Sequence, residues 1–349
     1  MADYIDAMVA FVPKALVSAA ALGRIRTIAR ELPALGMGGF ECRLGARRSR
    51  VDFHVGVLGA PALSVPAPGR VPPGWQFLEA FCRGWADRDS LLHRAVANLI
   101  LEFDVQRRAA AVPVPAVFVA LEPAAARDLP EILDMVVCGL ALPRASALRA
   151  PVRRCLDGLP AGAHVTSVGA MVSRSPAVVR LNVGGIAPGL LSGYLQRIGW
   201  AGSASKLDAA VGGVAAHVDS IECAVDLSGV VCSRIGLECF LRRQPIDEPR
   251  WKGLLGHLVA ARLCSPAKRE ALLSWPGFVQ RASRLEAWPD GLTMSELFMK
   301  HRARGVFVRR LNHVKLVCER GRPVEAKAYL GFGHHWIDRA WTDPRAPRS

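Results

Sequence analysis

Five stretches of this chain alternate apolar and polar residues with a period of two, each twice with a turn between, the one over 164–185 more weakly in its first strand. They are FECRLGARRSRVDFHVGVL (40–58), LILEFDVQRRAAAVPVPAVFVALEP (99–123), HVTSVGAMVSRSPAVVRLNVGG (164–185), SIECAVDLSGVVCSRIGLECFLR (220–242) and HVKLVCERGRPVEAKAYLGF (313–332). A period of two sends successive side chains to opposite faces of a strand, so each stretch reads as a hairpin with one apolar face. In the last of them Val314, Leu316, Cys318, Ala326, Ala328 and Leu330 share the apolar face. His313, Lys315, Glu325, Lys327 and Tyr329 share the other. Helical spacing fills the intervals, roughly 75–98, 128–157, 187–218 and 249–303, with an extra helix or loop over 276–305. An amphipathic helix over 4–32 precedes the first hairpin. Ten antiparallel strands keep two unpaired edges unless the sheet closes. Helices between the hairpins lie on one side, cover the apolar faces and leave the polar faces inside. The predicted fold is therefore α+β: a closed ten-stranded antiparallel β-barrel of five ββα repeats, beginning near residues 40, 99, 164, 220 and 312, helices outside, with a polar lumen wide enough for a ligand. The whole of 1–349 is read as one unit. The competing arrangement is an open α+β pair of domains with charged strand faces in solvent.

The net charge of +15 fits an anionic partner: nucleic acid, a membrane surface or a phosphorylated small molecule. The basic residues are scattered, with little aromatic interleaving, which weakens nucleic-acid binding as the main role. The nine cysteines include no C-x-x-C and no Cys/His cluster at metal-ligand spacing. They read as small buried hydrophobes in a reducing cytoplasm. Asp3, Asp6 and Lys14 interrupt the apolar N-terminus, which therefore reads as a helix and not a signal peptide. No uncharged run reaches the 18 residues that suggest a membrane span. Phosphate-loop, dinucleotide-binding and Gly-x-Ser-x-Gly patterns are missing.

The repeat order resembles the aromatic prenyltransferases of the ABBA, or PT-barrel, family, which includes the fungal dimethylallyltryptophan synthases and the cyanobactin peptide prenyltransferases. As architecture the likeness covers nearly the whole chain, while its motifs are short. GFECRLG looks like the family's first-strand segment whose Glu acts on the acceptor, here Glu41. KAY (327–329) looks like the Lys-x-Tyr pairs that bind diphosphate and shield a carbocation. VRLNV keeps the inward cation Arg180 but has Asn182 in place of Tyr. Tyrosines are sparse (Tyr4, Tyr194 and Tyr329), which is nearer to the peptide-modifying branch of natural-product (RiPP) biosynthesis. The scarcity implies a short donor, a shield built from Phe118, Phe240 and Tyr329, or a different chemistry. An aspartate-rich D-D-x-x-D motif is missing, which argues against the all-helical prenyl synthases.

The resemblance implies transfer of dimethylallyl or geranyl from its diphosphate to a peptide side chain or an aromatic small molecule. The departing diphosphate needs cations in a water-poor site. Arg43, Arg180, Arg234, Lys315 and Lys327 have lumen parity; some of them could instead pair with nearby acids, such as Arg234 with Glu238 or Lys327 with Glu325. The allylic cation needs aromatic faces, from Tyr329, Phe240 and Phe118. The acceptor's proton needs a base: Glu41 by motif position, then Glu238 and Glu102, each of which could also be an ion-pair partner. His334 and His335 in GHHW are read after the last strand, at the barrel mouth or in a solvated turn. Magnesium enters through the diphosphate, with no dedicated metal site and no organic cofactor. Two other readings stay open: a non-catalytic barrel that holds an anionic peptide or ligand for a partner enzyme, and an α+β nucleic-acid-binding protein.

Overall fold

The computed structural model describes residues 1–46, 50–59, 75–105, 113–122, 128–139, 145–171, 178–299 and 302–338. One sheet holds all of its strands. β1 (Met37–Arg43), β2 (Val51–Val57), β3 (Val96–Phe103), β4 (Ala116–Leu121), β5 (His164–Met171), β6 (Val178–Gly184), β7 (Ser220–Leu227) and β8 (Val231–Phe240) pair antiparallel in chain order. A four-residue strand, β9 (Gly277–Gln280), lies on the flank of β10 (Ala303–Glu319). β8 pairs with β10, β10 with β11 (Arg322–Asp338), and β11 with β1, so ten strands close into a ring as the hairpin pattern predicts. Closure explains why all seven residues of β2 are buried: Val51, Phe53, Val55 and Val57 face the helices while Asp52 and His54 face the lumen.

Helices follow each of the first four hairpins. They are α3 (Gln76–Ala86) and α4 (Leu91–Ala95), α5 (Leu129–Gly139) and α6 (Ala145–Asp157), α7 (Leu191–Arg197) and α8 (Ala204–Ala215), then α9 (Arg250–Ala260), α10 (Pro266–Ser274) and α11 (Asp290–Phe298). Local chemistry sets their starts. Ser90 and Ser265 cap α4 and α10 through their hydroxyls, and Pro266 occupies the first turn, where a missing N–H costs nothing. The core lies between barrel wall and helices. Phe40, Phe53 and Phe103 line up across β1, β2 and β3 with ring centroids 6.4 and 6.3 Å apart, and Trp75 stacks on Phe103. No described helix is long and apolar enough to cross a membrane.

Three local expectations are corrected. The helix expected over 4–32 is two: α1 (Ala2–Met8), extended by a 3-10 turn (Val9–Phe11), and α2 (Ala19–Arg30). Pro13 has no N–H to continue the first, and the Ser18 hydroxyl accepts from Ala21 N to start the second. The fifth repeat begins at Ala303 rather than near 312, because a bulge at Asn312 shifts the strand's phase and hides its first half from a period-two reading. GHHW consequently lies inside β11. There the ring of His334 packs on Phe307 and Trp336 while His335 is exposed, and neither lines the cavities described below.

The lumen is shaped by glycines set against large neighbours. Gly39 lies beneath the His54 ring, Gly169 beneath Phe118 and Gly236 beneath the Lys315 stem, each on an adjacent strand. A Cβ at Gly169 falls 2.5 Å from Phe118 Cε1, and one at Gly39 meets both His54 and the carbonyl oxygen of Leu330. Backbone cannot step aside, so Gly39→Ala should destabilise the barrel by roughly 1–3 kcal/mol. A lower urea midpoint with an unchanged slope is the expected result.

Candidate active site

The lumen has two ends that differ in chemistry. One is a charged cavity of about 390 Å³, lined by six cations (Arg43, Arg50, Arg180, Arg234, Lys315, Lys327) and five carboxylates (Asp52, Glu102, Asp104, Asp226, Glu325). The other, of about 280 Å³, is lined mainly by Met37, His54, Ile100, Phe118, Ala120, His313 and Tyr329, with Asn182 and Glu238 among its polar groups. Glu102 and Arg180 border both. The change of character follows the strands. β10 carries His313 at the apolar end, then Lys315 and Val317 two and four residues on at the charged end.

All five predicted cations therefore line one cavity, and the structure pairs each with an acid. Arg43 donates to Asp52 at 2.6 Å and lies 3.1 Å from Glu41. Arg180 grips Asp226 with two hydrogen bonds of 2.7 and 3.0 Å. Lys315 meets Glu238 at 2.6 Å. Two partners differ from the pairs considered on sequence: Arg234 reaches Glu325, at 3.1 Å, and Lys327 reaches Glu41, at 2.7 Å. Register decides this, because Arg234 is two residues from Gly236, which lies level with Glu325 across β10, and Lys327 is two residues from Tyr329, which faces Glu41.

Glu41 is the hub. It accepts from Lys327 and from the Tyr329 hydroxyl at 2.5 Å, and its other neighbour is Arg43. Burial alone pushes a carboxyl up. Here the Lys327 and Arg43 charges and the two hydrogen bonds outweigh it and hold Glu41 well below the usual carboxylate range. Glu238 follows the same logic: burial opposes, Lys315 and His313 prevail, and the group stays ionised. Asp52 goes the other way, raised by burial and the nearby Glu41 against the pull of Arg43. Burial and the Arg180 charge push Lys315 down despite Glu238. Glu41, Asp52 and Glu102 bring carboxylate oxygens within 4.8 Å of one another, and Asp52 Oδ1 is buried without a hydrogen-bond partner.

The predicted aromatics divide. Tyr329 and Phe118 line the apolar end, whereas Phe240 stands outside the lining and packs on the His313 ring. Phe240, His313 and Tyr329 are register partners on β8, β10 and β11, forming a ladder of rings 4.7 and 4.1 Å apart. Asp52, His54, Asp226 and His313 were not singled out as site residues from sequence, although their parity places them inside. The missing signal was the partner across the barrel, which no local pattern carries.

Burial pushes His54 down to about 4, with the Glu41 charge opposing and His313 adding to the shift. The unfolded chain takes up this proton near 6.5, so the stability that neutral His54 contributes is full above that pH and is lost as pH falls towards 4. His54→Asn should flatten this limb of the stability–pH curve by about 3 kcal/mol. Urea unfolding of both proteins at pH 7 and pH 4.5 reads the difference.

The sequence matches no family model and no curated protein. Among solved structures it is similar to 6-dimethylallyltryptophan synthase from Micromonospora olivasterospora in complex with DMASPP and Trp. The TM-score is 0.54 at 13% identity, over 95% of this chain and 96% of that one. AnaPT from Neosartorya fischeri gives a TM-score of 0.49 at 11% identity, over 96% and 92%. Closed ring, repeat order and full-length superposition agree on the architecture: this chain has the PT-barrel, or ABBA, fold of the aromatic prenyltransferases.

Proposed function

We propose that the protein transfers a short isoprenoid, dimethylallyl or geranyl, from its diphosphate to an aromatic acceptor held inside the barrel. The observation that carries this reading is the two-ended lumen, where a cation-rich cavity meets an apolar, ring-lined one at Arg180. Such a seam suits a donor whose head is a polyanion and whose tail becomes a carbocation. The similar synthase is in complex with DMASPP and Trp, which supports a donor and an acceptor of these classes.

In this reading Lys315, Lys327, Arg180, Arg43 and Arg234 keep their carboxylate partners, turn their remaining N–H donors to diphosphate oxygens and stabilise charge on the leaving group. Tyr329 and Phe118 face the cation, and Phe240 holds the ring ladder behind them. Glu41 fixes Lys327 and the Tyr329 hydroxyl, and Glu238 fixes Lys315. A magnesium ion arriving with the diphosphate would find Asp52 Oδ1 as its protein ligand, and would neutralise leaving-group charge there. The acceptor reading covers both a free aromatic compound and an aromatic side chain of a peptide.

The charge pattern gives little support to nucleic-acid binding, since Arg43, Lys315 and Lys327 are buried and their charge faces inward. A non-catalytic binding barrel remains the competing class, and turnover separates the two. Dimethylallyl and geranyl diphosphate, offered with tryptophan, tyrosine and peptides containing them, should give mass increments of one prenyl unit. No transfer and no diphosphate release with any donor would sink the proposal. Lys327→Ala should lower kcat/KM by about 10²-fold and raise the donor KM. Arg180→Ala is best paired with Asp226→Asn so that no buried carboxylate is stranded, and should do the same. Glu41→Gln should lower kcat with little change in donor affinity.

A further inference from the structure

Transfer to an aromatic acceptor releases a proton, and most lumen groups are badly placed to take it. Glu41 is occupied by Lys327, Tyr329 and Arg43. Glu238 is held by Lys315. His54 is buried, with Nε2 and Cε1 packed against Gly39. His313 is different. It lines the apolar end, one strand step from Lys315, so it stands where the two halves of the lumen meet. Its Nε2 lies 2.6 Å from Glu238 Oε2, although the oxygen is out of line for a well-formed hydrogen bond. Among the described residues Nδ1 makes no hydrogen bond, and 16% of the side chain is accessible. Phe240 on one side and Tyr329 on the other fix the plane of the ring.

We infer that His313 is the base that takes the acceptor's proton, with Glu238 as its positioning residue; this rests on the prenyl-transfer reading above. The step balances without a further reactant. The allylic C–O bond breaks, and its electron pair leaves with the diphosphate. The acceptor's π or lone pair forms the new bond to the allylic carbon. The proton released from that atom of the acceptor passes to His313 Nδ1, while Nε2–H faces the Glu238 carboxylate. A proton gained at Nδ1 creates a charge that the Glu238 carboxylate, 2.6 Å from Nε2, meets at once.

The test uses dimethylallyl diphosphate with tryptophan or a tryptophan-containing peptide, following prenylated product and released diphosphate together across pH. The titratable and charged groups around His313 are Glu238 on β8, Glu222 on β7, Arg180 on β6, Glu102 on β3, Tyr329 on β11, His54 on β2 and Lys315 on its own strand. Wild type should lose transfer on the acid side, and Glu222→Gln should keep that limb. His313→Gln should cut transfer at least tenfold, lower the fraction of released diphosphate that ends in product, and abolish the acid limb. If His313→Gln does not fold, Glu238→Gln, which keeps the imidazole, should move the acid limb by at least half a pH unit. His313→Gln matching wild type in rate, product fraction and profile, or an unmoved limb in Glu238→Gln, overturns the inference alone. A wild type that consumes no donor overturns the functional reading, and this inference with it.

Discussion

The pairing of β1 with β11 is the constraint on which the rest depends. Ten antiparallel strands arranged as a flat sheet would show water a face of arginines, lysines and glutamates, with ordinary consequences. Joined at their two edges, the same strands turn that face into the wall of a cavity. Lys315 at 2% exposure and Glu41 at the same value are extreme for charged residues, and only a ring of such strands accounts for both. Closure also fixes who meets whom. Glu41 belongs to the first strand and its partners Lys327 and Tyr329 to the last, so the central ion network exists only in the closed state.

Charges inside the cavity come close to cancelling, and this shapes what the lumen can do. Six cations sit among five carboxylates in the charged end, and Glu41 lies just beneath them. A buried charge without a partner is costly, so a lumen full of bare cations would weaken the barrel before it bound anything. The acids lower that cost and keep the long side chains extended and oriented. An incoming polyanion then meets donors that are already aimed. Specificity follows, because only a ligand offering several oxygens at once can take several donors together.

Much of the fold was legible because period-two alternation is a local signal. Val314, Leu316 and Cys318 against His313 and Lys315 announce a strand with two unlike faces, and five such hairpins separated by helices leave few topologies. What stayed hidden was non-local or out of phase. The bulge at Asn312 broke the alternation, so the first half of β10 and the histidines opposite it read as something else. Pro13 marked a helix break that amphipathic spacing overrode. In the candidate site, parity assigned residues to the lumen, Arg180 and Lys327 among them. It could not assign Asp226 to the first or Glu41 to the second, because those distances depend on the register of strands far apart in sequence.

The same seam has a consequence for how the molecule comes into being. Met37 lies opposite Gly333 across the seam, so the strand made first waits for the strand made last. During synthesis β1 presents an open edge while four hairpins and their helices accumulate beside it, and no partial chain can form the lumen. Contacts this distant in sequence are slow to form, and an unpaired edge invites other chains in the interval. The barrel is therefore a structure whose first exposed surface becomes its last buried one, and a chain truncated before β11 would keep every hairpin but the fifth and still have no inside.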